Sequence, residues 1–475
     1  MDQRAFYPRI INPVKFSRAI IFSAEEEVRK SKQVLVESMP WTEVEIYRDP
    51  IAVSDYKSDK ASVIILDDTA LIVVDADKIR ENNKDVVLVL LSSNDFISRS
   101  PPSIAHEKYP YTTKADLVFA LDREDFIPGH ILTSAVRCAE DLLNIRKYSR
   151  VRRYIFLIVD DEPRWFSQFL PVLYNIIGQR ADVMLARTFE EALTFLFGVE
   201  QESEIEPDQY LSTGHGDDVV CLIADIFFPK GNDLKSDAGK DLIRIIAKYY
   251  PRIPLIIASK AKEAFELKDK AFILPKGDPG SLRTLQDYIQ DFTGLGDFVL
   301  QDKKGMESFR VKDIYQLEKL LVEAKKHTNK AQKVRKILEV YAEKDAFSTW
   351  LYMHGFRELG DELRPQHGKG ADLVKKLIEP IEREISRIQA TSLMIGKEKV
   401  SSLGDLLGAL HKVSPEMIQN LSDNDVFSNW LDRKGYPELA EEIRPIHGSG
   451  EKLKEALTQR VSKWIAFYKQ KGESI

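Results

Sequence analysis

The sequence predicts an α/β chain that becomes all-α in its last third. Three observations carry this. Short apolar runs alternate with helical patterns up to residue 296, acids stand at the ends of those runs, and one helical pattern occurs twice after residue 296.

The runs at 154–159, 219–224, 253–258 and 271–275 are apolar almost throughout, as expected of strands buried on both faces of a parallel sheet. Each delivers a polar group at its end: Asp160 and Asp161 after the first, Asp225 after the second, Ser259 after the third, Lys276 after the fourth. Open parallel sheets bind ligands beyond the carboxyl ends of their strands, so these side chains are expected to share one edge. Three converging carboxylates raise one another's pKa unless a cation neutralises them. Oxygen-only ligands favour Mg²⁺.

The same rhythm occurs upstream, with apolar runs at 19–22, 62–66, 86–91 and 117–121 and a helical pattern over about 129–147. A second parallel-sheet domain is therefore expected at 14–148, ahead of one at 149–296. A short basic joint at 146–153 runs almost directly into the next strand, which predicts a semi-rigid pair. The polar insertion at 199–218 predicts a mobile surface loop, and a second insertion at 230–236 follows Pro229.

After residue 296, Asp345-Ala346-Phe347-Ser348-Thr349-Trp350-Leu351 returns as Asp425-Val426-Phe427-Ser428-Asn429-Trp430-Leu431. Leu363-Arg364-Pro365-Gln366-His367-Gly368 likewise returns as Ile443-Arg444-Pro445-Ile446-His447-Gly448. Helical repeats are expected at 297–395 and 396–475, each led by a leucine-rich helix (Leu317, Leu320, Leu321; Leu403, Leu406, Leu407). The first copy has six more residues between that helix and its Phe-Ser-x-Trp motif, and its last apolar face is interrupted at Pro380. Trp350 and Trp430 are expected as core anchors, and Arg364 and Arg444 as turn-fixing residues. His367 and His447 sit in turn-like contexts, unlike a phosphotransfer histidine on an exposed helix face.

A net charge of −6 and a pI near 5.9 give no electrostatic footprint for nucleic acid. Two cysteines, Cys138 and Cys221, are too few for a disulfide framework, and no apolar run reaches membrane-span length. A cytoplasmic protein without membrane or nucleic-acid partners is expected.

The acid pair Asp160-Asp161, the lone Asp225 with Pro229 four residues on, Ser259 and Lys276, each at a strand end in that order, resemble the response-regulator receiver family of phosphorelays. The resemblance implies two flavodoxin-like doubly wound (βα)5 receiver-type domains followed by the helical repeats. It also implies Mg²⁺ held by Asp160, Asp161, Asp225 and the backbone carbonyl of Phe227. Asp225 would accept a phosphoryl group, Ser259 would follow it, and Lys276 would pair with it. The implied donor is a sensor histidine kinase or phosphotransfer protein, the output a downstream protein, and the only catalysis self-phosphorylation and hydrolysis. Phe227 would hinder attacking water and slow hydrolysis.

Some positions depart from the family. Ile273 stands where an aromatic switch residue is usual, with Phe272 on the opposite strand face, and Gly277 follows Lys276 in place of proline. The segment 260–268 leaves room for about two helical turns. The first domain resembles a receiver without its chemistry. Ser23 and Ala24 replace the acid pair, Asp67 or Asp68 fills the acceptor position, Ser92 or Ser93 the hydroxyl position, and Asp122 replaces the lysine. A pseudo-receiver used for docking follows; an unrelated α/β domain is the other reading.

Residues 152–395, with Asp161-Glu162-Pro163-Arg164-Trp165 at the start, also resemble the region joining a receiver to a phosphoenolpyruvate-synthase-like nucleotide-binding domain. No glycine-rich ATP-binding loop appears, so a regulator is expected and not the synthase. The alternative is a receiver-like scaffold or regulatory subunit that is never phosphorylated. A phosphatase using Asp225 would want a second acid where Phe227 stands.

Overall fold

The computed structural model describes residues 13–121, 128–148, 154–206, 214–234, 236–260, 262–302, 305–364, 366 and 368–470. Asp122, Pro365, His367, the centre of the 199–218 insertion and most of the basic joint lie outside them. The chain forms two compact units. One is α/β and runs up to Asn175 and over Ala181–Leu285; the other holds Ile176–Arg180 and the residues from Gln286 onward.

The α/β unit contains two five-stranded sheets. The first is built from β1 (Arg18–Phe22), β2 (Glu43–Ile46), β3 (Ser62–Leu66), β4 (Val86–Ser92) and β5 (Leu117–Ala120) in the order β2-β1-β3-β4-β5, all parallel. The second uses β6 (Ile155–Val159), β7 (Asp182–Ala186), β8 (Val219–Ala224), β9 (Leu255–Ser259) and β10 (Phe272–Pro275) in the order β10-β9-β8-β6-β7, also parallel. Counted along the chain, both follow the flavodoxin-like order 2-1-3-4-5. The unbroken apolar runs arise because helices cover both faces: β6, β8 and β9 are buried along their whole length.

The helix Pro128–Lys147 partitions these two halves. Its apolar positions Ile131, Leu132, Ala135, Val136 and Ala139 are buried, and so are Glu140, Asp141 and Asn144. Asn144 brackets the backbone of Val14, and Glu140 accepts from Phe16 N at 2.8 Å. Asp141, with no exposed surface, accepts from Tyr174 OH at 2.8 Å and from the β7 amide of Val183 at 2.9 Å. A carboxylate of the first half thus satisfies an edge-strand donor of the second. Ala120 N donating to Ser167 Oγ at 3.1 Å and the perpendicular Phe119 and Phe166 rings extend the contact.

The described flanks of the 199–218 insertion are pinned, against the expectation of a loose excursion. Arg244 binds Glu202 with two short bonds, Arg252 pairs with Asp217 at 2.7 Å, and His215 stacks on Phe195.

In the other unit each repeat opens with a two-stranded hairpin, Phe298–Gln301 with Glu307–Val311 and Leu393–Ile395 with Glu398–Val400, where helix alone was expected. Five helices follow in each. The six extra residues of the first copy lengthen its second helix, which has 15 residues at Asn329–Glu343 against 9 at Pro415–Asp423. Trp350 and Trp430 are core anchors as expected, 0% and 1% exposed. Arg444 is buried beside Ser428, Glu441 and Asp425, and His447 lies in a loop. Pro380 does not break its helix. Gly370–Ala390 runs through it, because burial of Leu377, Ile378, Ile381 and Ile385 compensates the one backbone bond that proline removes.

Both copies use the same strained start to the Phe-Ser-x-Trp helix, Asp345 at φ +53° and Asp425 at φ +55°. A left-handed glycine packs closely on each helix, at its start in the second copy and in its middle in the first. A Cβ on Gly178 would meet Asp425 Oδ2 at 2.6 Å, and one on Gly294 would meet Trp350 Cα at 3.1 Å. Next to Gly178, Gln179 N donates to Asp425 Oδ2 at 2.7 Å. The copies are joined by His354, whose Nδ1 lies 2.5 Å from Asp432 Oδ2 and whose Nε2 lies 3.0 Å from Gly296 O.

Candidate functional site

Strand register assembles the site. Val159 pairs with Ala224, Ala224 with Ile257, and Ser259 with Pro275, so Asp160, Asp225, Ser259 and Lys276 leave the sheet at one edge. Lys276 Nζ lies 2.6 Å from Asp160 Oδ2 and 2.5 Å from Asp225 Oδ2, with its side chain 1% exposed. The Lys276 amide donates to Ser259 O at 3.2 Å, and Ser259 is buried.

The surrounding backbone holds these groups still. Asp160 N donates to Ala186 O, Asp225 N to Val159 O, Glu162 N to Asp160 Oδ1 and Ile226 N to Asp225 Oδ1. Trp165 Nε1 donates to Glu162 Oε2 at 2.8 Å, and the Trp165 ring lies 5.3 Å from Lys276 Nζ. Half-buried Arg187 donates to Asp161 O at 3.2 Å. Gly239 N donates to Ile226 O, and a Cβ on Gly239 would sit 2.2 Å from Asp225 O. Only glycine lets the helix Ala238–Tyr249 start this close to the loop after Asp225.

The electrostatics follow from three acids and one ammonium in a nearly dry edge. Burial pushes Asp160 up to about 8, eased by the Lys276 ammonium and reinforced by Asp225 and Asp161. Burial, with Glu162 beside it, pushes Asp161 up to about 7. Burial opposes the charge on Lys276, but Asp160 and Asp225 outweigh it and hold its pKa above the ordinary lysine value. The ammonium therefore stays charged, and protons are held by Asp160 and Asp161.

Among the described residues no three His, Cys, Asp or Glu groups stand in a metal-holding arrangement, since Lys276 lies between Asp160 and Asp225. The donor types nevertheless fit a hard divalent cation: buried carboxylates whose ionised forms a cation would stabilise. Phe227 is 37% exposed beside them, and Ile273 packs on the core. Among the described residues, the segment between Ser259 and β10 forms the short 3₁₀ turn Lys262–Leu267.

In the first sheet the corresponding acids are committed elsewhere. Asp67 caps the helix Asp68–Val73, accepting from Ala70 N, Thr69 Oγ1 and Ala24 N. Asp68 accepts from Ser92 Oγ and Tyr111 OH, and burial raises its pKa. Lys114 faces away, donating to the carbonyls of Leu71, Ile72 and Val74. Sequence reasoning met Trp165 only as part of the 161–165 segment, with no role at the site, and did not single out Arg187 or Gly239. Trp165, placed just behind the acid pair, carried a usable signal; the other two become visible only through distant packing.

The raised acids fix a pH dependence. Between the ordinary carboxylate range and about pH 8 the folded chain keeps protons that the unfolded chain has released, so stability falls as pH rises through this window. The Lys276 contribution is constant there, because it is lost only above the ordinary lysine range. In EDTA, Tm should fall between about pH 5 and 8, and Asp160→Asn should flatten the slope. A Tm that rises over this range contradicts the assignment.

No protein-family model and no curated protein matches the sequence. Among solved structures, two proteins described as two-component system response regulator/GGDEF domain proteins are each 15% identical, cover 57% of this chain and 96% and 97% of their own, and have TM-scores of 0.25 and 0.23. A protein from Salmonella typhimurium LT2 described as sugar binding is 10% identical over 51% of this chain and 77% of its own, with a TM-score of 0.17. These are distant likenesses, and the architecture rests on the strand order and register themselves.

Proposed function

We propose that the chain is a phosphorelay response regulator that accepts a phosphoryl group on Asp225 in a Mg²⁺-dependent reaction and signals through protein contacts. One observation carries this reading: of the two carboxylates on the Lys276 ammonium, Asp225 is the reachable one, with its side chain 16% exposed against 2% for Asp160. A carboxylate oxygen of Asp225 attacks phosphorus, the bond to the donor's leaving group breaks, and an acyl phosphate forms. Lys276 moves from pairing two carboxylates to neutralising the transferred group. Asp160, Asp161 and Asp225, with the Phe227 carbonyl, would hold Mg²⁺, which supplies charge neutralisation on the phosphoryl oxygens. Ser259 would take a hydrogen-bonding position on the new group.

On this reading the donor is a sensor histidine kinase or phosphotransfer protein. The first α/β half is a pseudo-receiver, supported by the structural commitments of Asp67 and Asp68. The helical repeats, which resemble a receiver-adjacent joining region, carry output to a partner protein. The core-packed Ile273 and the short turn Lys262–Leu267 favour a second reading, a scaffold never phosphorylated.

Incubation with a small acyl phosphate and Mg²⁺ separates the two. The expected result is a hydroxylamine-labile adduct that is absent in Asp225→Asn; no adduct in the unmodified chain favours the scaffold. The exposed Phe227 ring should slow water attack, so Phe227→Asn is expected to shorten the lifetime of the phosphorylated form about tenfold, and an unchanged lifetime removes that role.

A further inference from the structure

A cavity of about 570 Å³ opens where the partition helix Pro128–Lys147 faces the helix Pro163–Ile177 and the loop after β10. Its size suits a metabolite, and a junction between two halves is a common place for one. Ile131, Phe169 and Leu282 give it apolar walls. At one end two cations meet on a single ring: Lys260 Nζ lies 4.6 Å and the Arg164 guanidinium 5.1 Å from the centre of Trp165. The loop Gly277-Asp278-Pro279-Gly280 uses left-handed glycines at φ +80° and +85° and leads into the 12-residue helix Ser281–Phe292, whose first turn lines the same cavity. Gln168 and Asp278 add an amide and a carboxylate to the lining.

A simple anion would not account for a carboxylate in the wall, and an apolar ligand would not account for two cations. We propose that this cavity binds a nucleoside 5′-phosphate. The phosphate is taken by Lys260, Arg164 and the helix start, the base by the apolar walls with Gln168 at its edge, and the ribose hydroxyls by Asp278. Trp165 is shared with the Asp160–Lys276 edge, so an occupant would press on a side chain 5.3 Å from Lys276 Nζ.

Calorimetry on the full chain with adenosine and guanosine 5′-monophosphate tests this without any phosphorylation chemistry. At least one nucleotide should bind with a Kd below about 100 μM, and its nucleoside and inorganic phosphate should each bind at least about tenfold more weakly. Lys260→Glu should weaken the nucleotide about tenfold, and Leu282→Trp, at a position 38% exposed and so tolerant of change, should abolish binding. Asp225→Asn should bind as the unmodified chain does, so a failed phosphorylation experiment leaves this result standing. No binding tighter than about 1 mM overturns the proposal, as does binding that survives Leu282→Trp unchanged.

Discussion

One ammonium holds the active edge together. Lys276 lies within hydrogen-bond distance of two carboxylates from different strands, in a place with almost no solvent, and a third acid stands beside them. Each partner alone is costly to bury. Together they are tolerable, yet burial opposes ionisation of Asp160 and Asp161, and the neighbouring acids reinforce it, so both pKa values are raised. A site in this condition gains from any added cation. If Asp225 accepts a phosphoryl group as proposed, the lysine is already on that carboxylate and needs only a short movement to meet an incoming phosphoryl oxygen.

Much of the α/β unit serves to keep that edge fixed. The apolar strands set the level at which each polar residue emerges, and Gly239 lets a helix begin almost in contact with the loop after Asp225. The partition helix closes the far edge of the same sheet through the buried Asp141 carboxylate on Val183 N and Tyr174 OH. The first sheet repeats the strand order but spends its acids on capping and hydrogen bonding. The same strand order thus carries two different arrangements of acids.

The strand-end constellation was legible because each apolar run stops at a residue whose chemistry has no place inside a sheet: Asp160, Asp225, Ser259 and Lys276. The partition helix was legible only as an amphipathic helix. Glu140, Asp141 and Asn144 look like a solvent face by periodicity, and they are buried because backbone groups far away in sequence need acceptors. The repeat hairpins, with strands of only three to five residues, fall below what periodicity detects. The left-handed Asp345 and Asp425 carry no local signal, since each is stabilised by how its helix is packed.

The charge-deficient edge is tested most directly by titrating Mg²⁺ into the chain at about pH 7.5 in two buffers of different ionisation enthalpy. Binding should release protons to the buffer, because the metal displaces those held by the raised Asp160 and Asp161, and Asp161→Asn should reduce the release. Mg²⁺ binding with no proton release, or no binding at millimolar Mg²⁺, would contradict it.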